Sequence, residues 1–381
     1  MQFKDIQGHE DIKARLIGTV RENRVSHAQL FFGPEGNGGL ALAIAYAQYL
    51  NCTNRSEEDS CGECGNCRKY QKYIHPDLHF SYPFFAKHRE DTAATYIQTW
   101  REALQKNPYL GMEDWRAHSE VENKQANINI AEAHDIIKKL SLKAFEAEYK
   151  VLIMWLPEYL DKQGNALLKL IEEPPEKTLF LLVSENMDRI LTTILSRTQL
   201  VKIQPYPSNI VGAYLQQEFD LTGEQVEEIA LMSEGNISLA QRFAVELEEP
   251  FFEIMVQWLR YCVTDSGKSL ILFCESELAG LGRENQKSFL RYTLSMMRAA
   301  VLEKSGAGAI QALSGRAREF VRKFSATYSL EQMEEMIIQL EESIFHIERN
   351  ANAKLLFLDL SLRLVLLFKY NTFRQKADSI I

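Results

Sequence analysis

Four of the chain's six cysteines, Cys52, Cys61, Cys64 and Cys67, follow the pattern C-x8-C-x2-C-x2-C, while Cys262 and Cys274 stand apart. Four thiolates on tight turns can close a tetrahedron about Zn²⁺ at roughly 2.3 Å per bond, and the stretch CGECGNC supplies glycines for such turns. In a reducing compartment this clustering points to a metal and away from disulfides. A closed shell of four thiolates leaves no open position for water or substrate, so the ion would brace the loop and not catalyse. A zinc ribbon that touches nucleic acid is the sharper alternative, because Arg68, Lys69 and Lys72 follow the last cysteine. Three basic residues after a helix start are also ordinary surface.

A second stretch, QLFFGPEGNGGL at residues 29 to 40, places a strand, a glycine-rich turn and a helix in the order that cradles phosphate. Laid on G-x-x-x-x-G-K-[ST], the first glycine is Gly33 and the second Gly38, with Gly36 between them. The next two positions depart from the pattern. Gly39 stands where a lysine would reach the terminal phosphates, and Leu40 where a hydroxyl would hold Mg²⁺. The other half of such a site is an apolar strand ending in an acid. Here Val151 to Met154 runs into Trp155, Leu156 and Pro157, and the first carboxylate is Glu158. Without lysine, hydroxyl and acid, most of the charge compensation for a transferring phosphoryl group is gone. A flexible turn with no ancestral phosphate role is the plainer reading of GPEGNGG.

The elements that would carry these residues form an α/β region followed by an all-α region. Short apolar strands are expected at 29 to 32, 79 to 84, 151 to 156, 178 to 183 and 200 to 203, with helices after the glycine turn, at 130 to 142 and at 164 to 172. Pro174 and Pro175 should stop that last helix. Beyond a linker at Pro205 to Pro207 the periodicity is helical throughout. Thr222 with Gln225 and Ser329 with Gln332 read as capping boxes. Three domains are expected: residues 1 to 206 as a parallel-sheet core, 207 to 248 as a small helical unit, and 249 to 381 as a larger helical one. Residues 85 to 128 have weak periodicity and many charges, and read as an insertion that is mainly a solvated excursion.

With 46% hydrophobic residues over 381 positions, a chain of this length has ample material for a substantial interior. Its net charge of -9 argues against a surface built to lie along a polyphosphate backbone. Nothing in MQFKDIQGHE reads as a secretion signal, so a cytoplasmic setting is expected. The longest apolar run, residues 355 to 368, contains Asp359 and Arg363 and falls short of the roughly 20 apolar residues a membrane span needs. Those two charges stand at i,i+4 and can pair across one helical turn.

Taken together, these residues resemble the AAA+ clamp-loader family of bacterial DNA polymerase III, in particular its delta-prime branch. The likeness is carried by RVSHA at 24 to 28, the cysteine knuckle at 52 to 67, HPDL at 75 to 78, NALLKLIEEPP at 165 to 175, TILSRT at 193 to 198, GNISLA at 235 to 240 and NANAKLL at 350 to 356. The resemblance implies an AAA+ P-loop-type sheet domain with a zinc-knuckle insertion, a small helical lid and a C-terminal helical collar that joins five subunits in a ring. It also implies that Arg197, flanked by Ser196 and Thr198, is an arginine finger offered in trans to ATP on a neighbouring subunit. Thr198 departs from the family's cysteine there. Ser238 stands near the place of a nucleotide-sensing arginine, and His27 matches a family histidine more structural than catalytic.

The implied role is a non-hydrolysing subunit of an ATP-driven heteropentamer. Its partners would be gamma/tau-type ATPases and delta, and through the complex the sliding clamp and primed DNA. ATP would be bound only at the neighbouring subunits, with zinc structural and no membrane involved. Two other readings stand beside it: a self-sufficient gamma-type ATPase motor, and a nucleic-acid-binding module acting through the zinc knuckle. Standing alone, Arg197 would be read as a surface residue in a loop.

Overall fold

Strand runs such as KVLIMW and TLFLLVS are apolar except at their ends, Lys150, Thr178 and Ser184, the pattern of strands covered on both faces of a parallel sheet. The computed structural model bears this out; it describes residues 1–119, 121, 124–246, 251–264, 267–306, 313, 315–349 and 351–370. The junction at Glu248, Glu249 and Pro250, Asn350 of NANAKLL and the tail from residue 371 lie outside the described residues.

In chain order the first elements are α1 (Glu10–Arg21), β1 (Ala28–Phe32), α2 (Gly39–Leu50), α3 (Gly65–Gln71) and β2 (Leu78–Ser81). Then come α4 (Ile97–Lys106), α5 (Met112–His118), α6 (Ile130–Ser141), β3 (Lys150–Trp155), α7 (Leu168–Glu172), β4 (Thr178–Ser184), α8 (Thr192–Leu195) and β5 (Gln199–Lys202). Among the described residues the strands make one five-stranded sheet in the order β2-β3-β4-β1-β5, with every pairing parallel. The central strands β3 and β4 are buried along their whole length. In the edge strand β5 only Val201 is buried, and the strand carries Lys202 as edge strands often do.

Helix α2, GLALAIAYAQYL, is buried at all of its positions, which explains why its sequence lacks an amphipathic stripe. On the opposite face, Ala133, Ile136 and Leu140 of α6 pack with Leu30, Leu152, Met154, Phe180 and Leu182 of the sheet. Each such fully buried aliphatic side chain stabilises the fold by about 1.5–3 kcal/mol. Helix α1 was not among the expected elements, although Ile12, Leu16 and Val20 mark one buried stripe at four-residue spacing. The expected helix at 164 to 172 is a 3-10 stretch, Asp161–Leu167, that becomes α-helical only in α7 before Pro174 and Pro175.

Residues 85 to 128 differ most from expectation. They are not a solvated excursion: α4 and α5 bring Trp100 and Trp115 to almost complete burial, and Phe84, Phe85, Tyr109 and Leu110 are buried beside them. Trp100 stacks on Tyr82 with ring centroids 4.1 Å apart, and Trp115 donates its Nε1 hydrogen to Pro83 O at 2.7 Å. Three aromatic positions too far apart for one helical stripe make a core across two short helices, which periodicity cannot reveal. Just past β2, Phe84 and Asn127 form an isolated antiparallel bridge that joins the two ends of this segment.

The later elements are α9 (Ser208–Glu218), α10 (Gly223–Met232), α11 (Ile237–Glu246), α12 (Phe251–Thr264), α13 (Gly267–Phe273), α14 (Arg283–Lys304), α15 (Gly315–Thr327), α16 (Leu330–Glu348) and α17 (Ala353–Tyr370). Two compact units result: residues 1–210 with 235–239, and residues 211–234 with 240–381. In the second unit α14 packs on α15 and α16, and α17 on α12 and α16. Both expected capping boxes form, and Asp359 pairs with Arg363 at 2.8 Å. Trp258 donates to Ser361 Oγ at 2.8 Å, and Cys262 and Cys274 are buried in this core. Among the described residues no helix is long and apolar enough to cross a membrane.

Candidate functional site

The cysteine knuckle lies between α2 and α3. Cys52 follows the end of α2, Cys64 caps the start of α3 and Cys67 sits in its first turn. The four Sγ atoms all lie within 4.8 Å of one another. A tetrahedron with Zn–S bonds of 2.3 Å has S···S edges of about 3.8 Å, so small adjustments would seat the ion. Backbone amides point at the sulfurs: Cys61 N at Cys52 Sγ (3.3 Å), Cys64 N at Cys61 Sγ (3.3 Å) and Cys67 N at Cys64 Sγ (3.4 Å). Such donors stabilise thiolates. Burial works against charge at Cys64, but the Thr53 hydroxyl and amide and the Cys67 amide outweigh it and bring that thiol down to about 6. Burial pushes the Cys52 and Cys67 thiols up, so those two need a cation to be charged. The donor set fits zinc as a structural ion.

Behind the knuckle, Asn66 Nδ2 donates to Asn51 O at 2.7 Å, and its Oδ1 faces Nε2 of the buried His75 at 3.3 Å. Asp77, from the same HPDL stretch, accepts from the amides of Phe145, Glu146 and Ala147 at 2.6, 2.8 and 2.8 Å. The knuckle is thereby tied to the loop before β3. Of the three basic residues after Cys67, Lys69 is paired with Glu146 at 2.6 Å.

The glycine loop follows β1. Gly36 and Gly38 adopt φ of +71° and +80°, a region open to glycine, and a Cβ at either would run into Asn236 or the Tyr206 hydroxyl. Gly39 opens α2, yet its amide donates to Asn37 Oδ1 at 2.8 Å, so the donor that would face an anion is already taken. His9 Nε2 lies 2.8 Å from Asn37 O, and its ring packs on Tyr206 with centroids 4.3 Å apart. Leu40 is buried. At the tip of β3, Trp155 is buried with its ring 5.3 Å from Trp100. The space left beside Gly33, Gly36, Gly38, Gly39, Trp155 and Tyr109 is about 20 Å³, whereas small-ligand sites enclose roughly 300 Å³ or more.

Carboxyl groups lie nearby. Glu158 is buried, and its Oε1 accepts from the amides of Glu185 and Asn186 at 3.0 and 3.1 Å, bracing the turn after β4. Burial pushes the Glu158 carboxyl above the usual range. Burial does the same, more strongly, at Glu185 on the pocket wall, with Glu35 and Glu158 adding like charge. Both carboxyls are biased toward the neutral acid, and neither offers an incoming anion a compensating positive charge.

Arg197 is exposed just past α8. Its Nη1 donates to Thr193 O at 2.7 Å and Ser196 Oγ at 3.0 Å, and its Nη2 is paired with Glu172 of α7. Thr198 donates to Leu195 O at 3.1 Å. His27 is exposed, and its carbonyl accepts from Phe180 N at 2.8 Å in the sheet. Ser238 is buried, and its hydroxyl donates to Asp114 of the 85–128 segment. Sequence reasoning missed Asn37, Tyr109, Tyr206 and Asp114 around the glycine loop. Asn37 lay in the motif itself, but nothing local marked the other three.

A family profile described as DNA polymerase III, delta subunit, matches residues 8–207, more than half of the chain. The chain is 31% identical over 186 residues to DNA polymerase III subunit delta' of Yersinia pestis, covering 48% of this chain and 43% of that protein. It is 25% identical over 299 residues to subunit delta' of Escherichia coli, covering 78% of this chain and 76% of that one. Against DNA polymerase III subunit tau of Bacillus subtilis the identity is 26% over 232 residues, 60% of this chain and 34% of the relative. The match thus spans less than half of two of these three relatives. The chain belongs to the DNA polymerase III, delta subunit, family, one of the AAA+ clamp-loader families.

Proposed function

We propose that this chain is a non-hydrolysing subunit of a replicative clamp loader, of the delta-prime kind, that lends an arginine to ATP bound by a neighbour. The observation that carries the reading is the glycine-loop pocket: Gly39, Leu40 and Trp155 stand where an ammonium, a hydroxyl and a metal-holding acid would be needed, and about 20 Å³ remains. A phosphoryl transfer there would have no cation to take up developing charge.

Arg197 supports the second half of the proposal. A guanidinium is permanently charged, planar and forked, which suits it to the oxygens of a γ-phosphate. Its exposure lets another subunit reach it. Ser196 accepts one of its hydrogens and limits its swing. In this reading residues 1 to 206 are the AAA+ core, 207 to 248 a lid, and 249 to 381 a collar that holds the chain in a pentamer with gamma/tau-type ATPases and delta. The clamp and primed DNA would be met through that complex, and zinc at Cys52, Cys61, Cys64 and Cys67 would brace the core.

The test is an ATPase assay on the purified, zinc-loaded chain. No magnesium-dependent turnover is expected above a no-enzyme control. Turnover abolished by substitution at Gly38 or Gly39 would make the chain a motor subunit instead.

A further inference from the structure

The segment 108–114, which runs from the end of α4 into the first turn of α5, lies beside the glycine loop. Pro108, Tyr109 and Leu110 line the residual cavity, and Tyr109 packs edge-on to Tyr206 with centroids 6.3 Å apart. Gly111 sits so close to Glu35 that a Cβ there would collide with its carboxylate. Asp114 caps α5 by accepting from Gly111 N at 2.8 Å, and the same oxygen, Oδ2, accepts from the Ser238 hydroxyl.

That second bond fastens a distant stretch. Residues 235–239 belong to the same compact unit as the glycine loop and are held to it by the chain's own groups. Gly235 O accepts from Tyr206 N at 3.1 Å, and Ile237 N donates to Gly36 O at 3.2 Å. Asn236 Oδ1 accepts from Leu239 N at 2.9 Å and crowds Gly36. At the loop itself, Gly36 O, Gly38 O and the Gly39 amide are already bonded within the chain.

We propose that residues 108–114 are a built-in stopper for the glycine-loop pocket, and that Asp114 is a positioning residue locking residues 235–239 against the loop whether or not nucleotide is present. The inference rests on the proposed non-hydrolysing role and extends it: the pocket does not merely lack catalytic groups, it is filled, and its filler does the fastening. A carboxylate between a backbone amide and a buried hydroxyl forms charge-assisted bonds, shorter and stronger than neutral ones.

The experiment is amide hydrogen exchange on the full-length chain, with and without Mg·ATP, for the wild type, Asp114→Ala and Asp114→Asn, alongside titration with a fluorescent ATP analogue. Ser238→Ala serves as the second probe if Asp114→Ala fails to fold. Wild type should show no ATP-dependent change at residues 33–40 or 235–239 and no analogue binding. Asp114→Ala or Ser238→Ala should speed exchange of the Ile237 and Leu239 amides by about 10-fold or more, with Asp114→Asn retaining most of the protection. Unchanged exchange in both alanine variants would overturn the locking role. Saturable analogue binding by the wild type, with ATP-dependent protection of residues 33–40 and no turnover, would overturn the stopper and leave the proposed function standing. Turnover would overturn both.

Discussion

Arg197 is held by Glu172 across the gap between α8 and α7, so the guanidinium proposed to meet a neighbour's phosphate is paired with a carboxylate of its own chain. Both side chains are more than a third exposed, and an exposed pair of this kind is worth about 0–1 kcal/mol. The arrangement aims the arginine while leaving it easy to release. Glu172→Gln should therefore leave stability within about 0.5 kcal/mol of wild type, as urea unfolding will show. A loss of 2 kcal/mol or more, an order-of-magnitude threshold well above exposed-pair values, would mean the pair is structural.

Trp100 tests whether the 85–128 segment is part of the folded core. It is fully buried between Tyr82, Trp115 and Trp155. Truncation to alanine should cost about 3–5 kcal/mol in equilibrium unfolding. A solvated excursion would lose less than about 0.5 kcal/mol.

Zinc should be present at one ion per chain by mass spectrometry of the metal content, and Cys64→Ser or Cys52→Ser should abolish it. Stripping with a chelator should lower the unfolding free energy by about 4 kcal/mol if free zinc stands a thousandfold above its Kd. Because Asn51 and Asn66 link the knuckle to α2 and to Tyr149, proteolysis after stripping should begin between residues 52 and 72.

Asp77 gives a pH dependence of known sign. Burial alone would raise its carboxyl, but the amides of Ala147, Glu146 and Phe145 outweigh this and hold it below the usual carboxylate range. A depressed folded value contributes stability above the unfolded pKa, near about 3.9, and that stability is lost as pH falls through the folded value. Asp77→Ala should cost roughly 1.5–3 kcal/mol at pH 7 by urea unfolding. The gap between variant and wild type should close as the acid limb is descended.

Much of this was legible in the sequence because it is local. The strands β3 and β4 announce themselves as long apolar runs, the capping boxes at Thr222 and Ser329 are written in residues three apart, and the four cysteines carry their spacing openly. The empty places at Gly39 and Leu40 could likewise be read off a motif. What fills the pocket could not. Tyr109 and Tyr206 reach the glycine loop from 70 or more positions away, and Asp114 bonds Ser238 across a similarly long separation; such contacts leave no periodic trace in any one segment. The segment that carries Tyr109 and Asp114 also looked solvated because its charges are numerous, while its core rests on a few aromatic side chains of two short helices.

The most direct test of the central claim is the ATPase rate of the assembled clamp loader, with clamp and primed DNA, when this chain carries Arg197→Ala or Arg197→Lys. Loss of an arginine finger should reduce turnover about 10³-fold or more at the one ATP site it serves, with assembly, zinc content and melting temperature unchanged, and lysine should not restore it. Parent-rate hydrolysis and clamp loading by the Arg197→Ala complex would contradict the account.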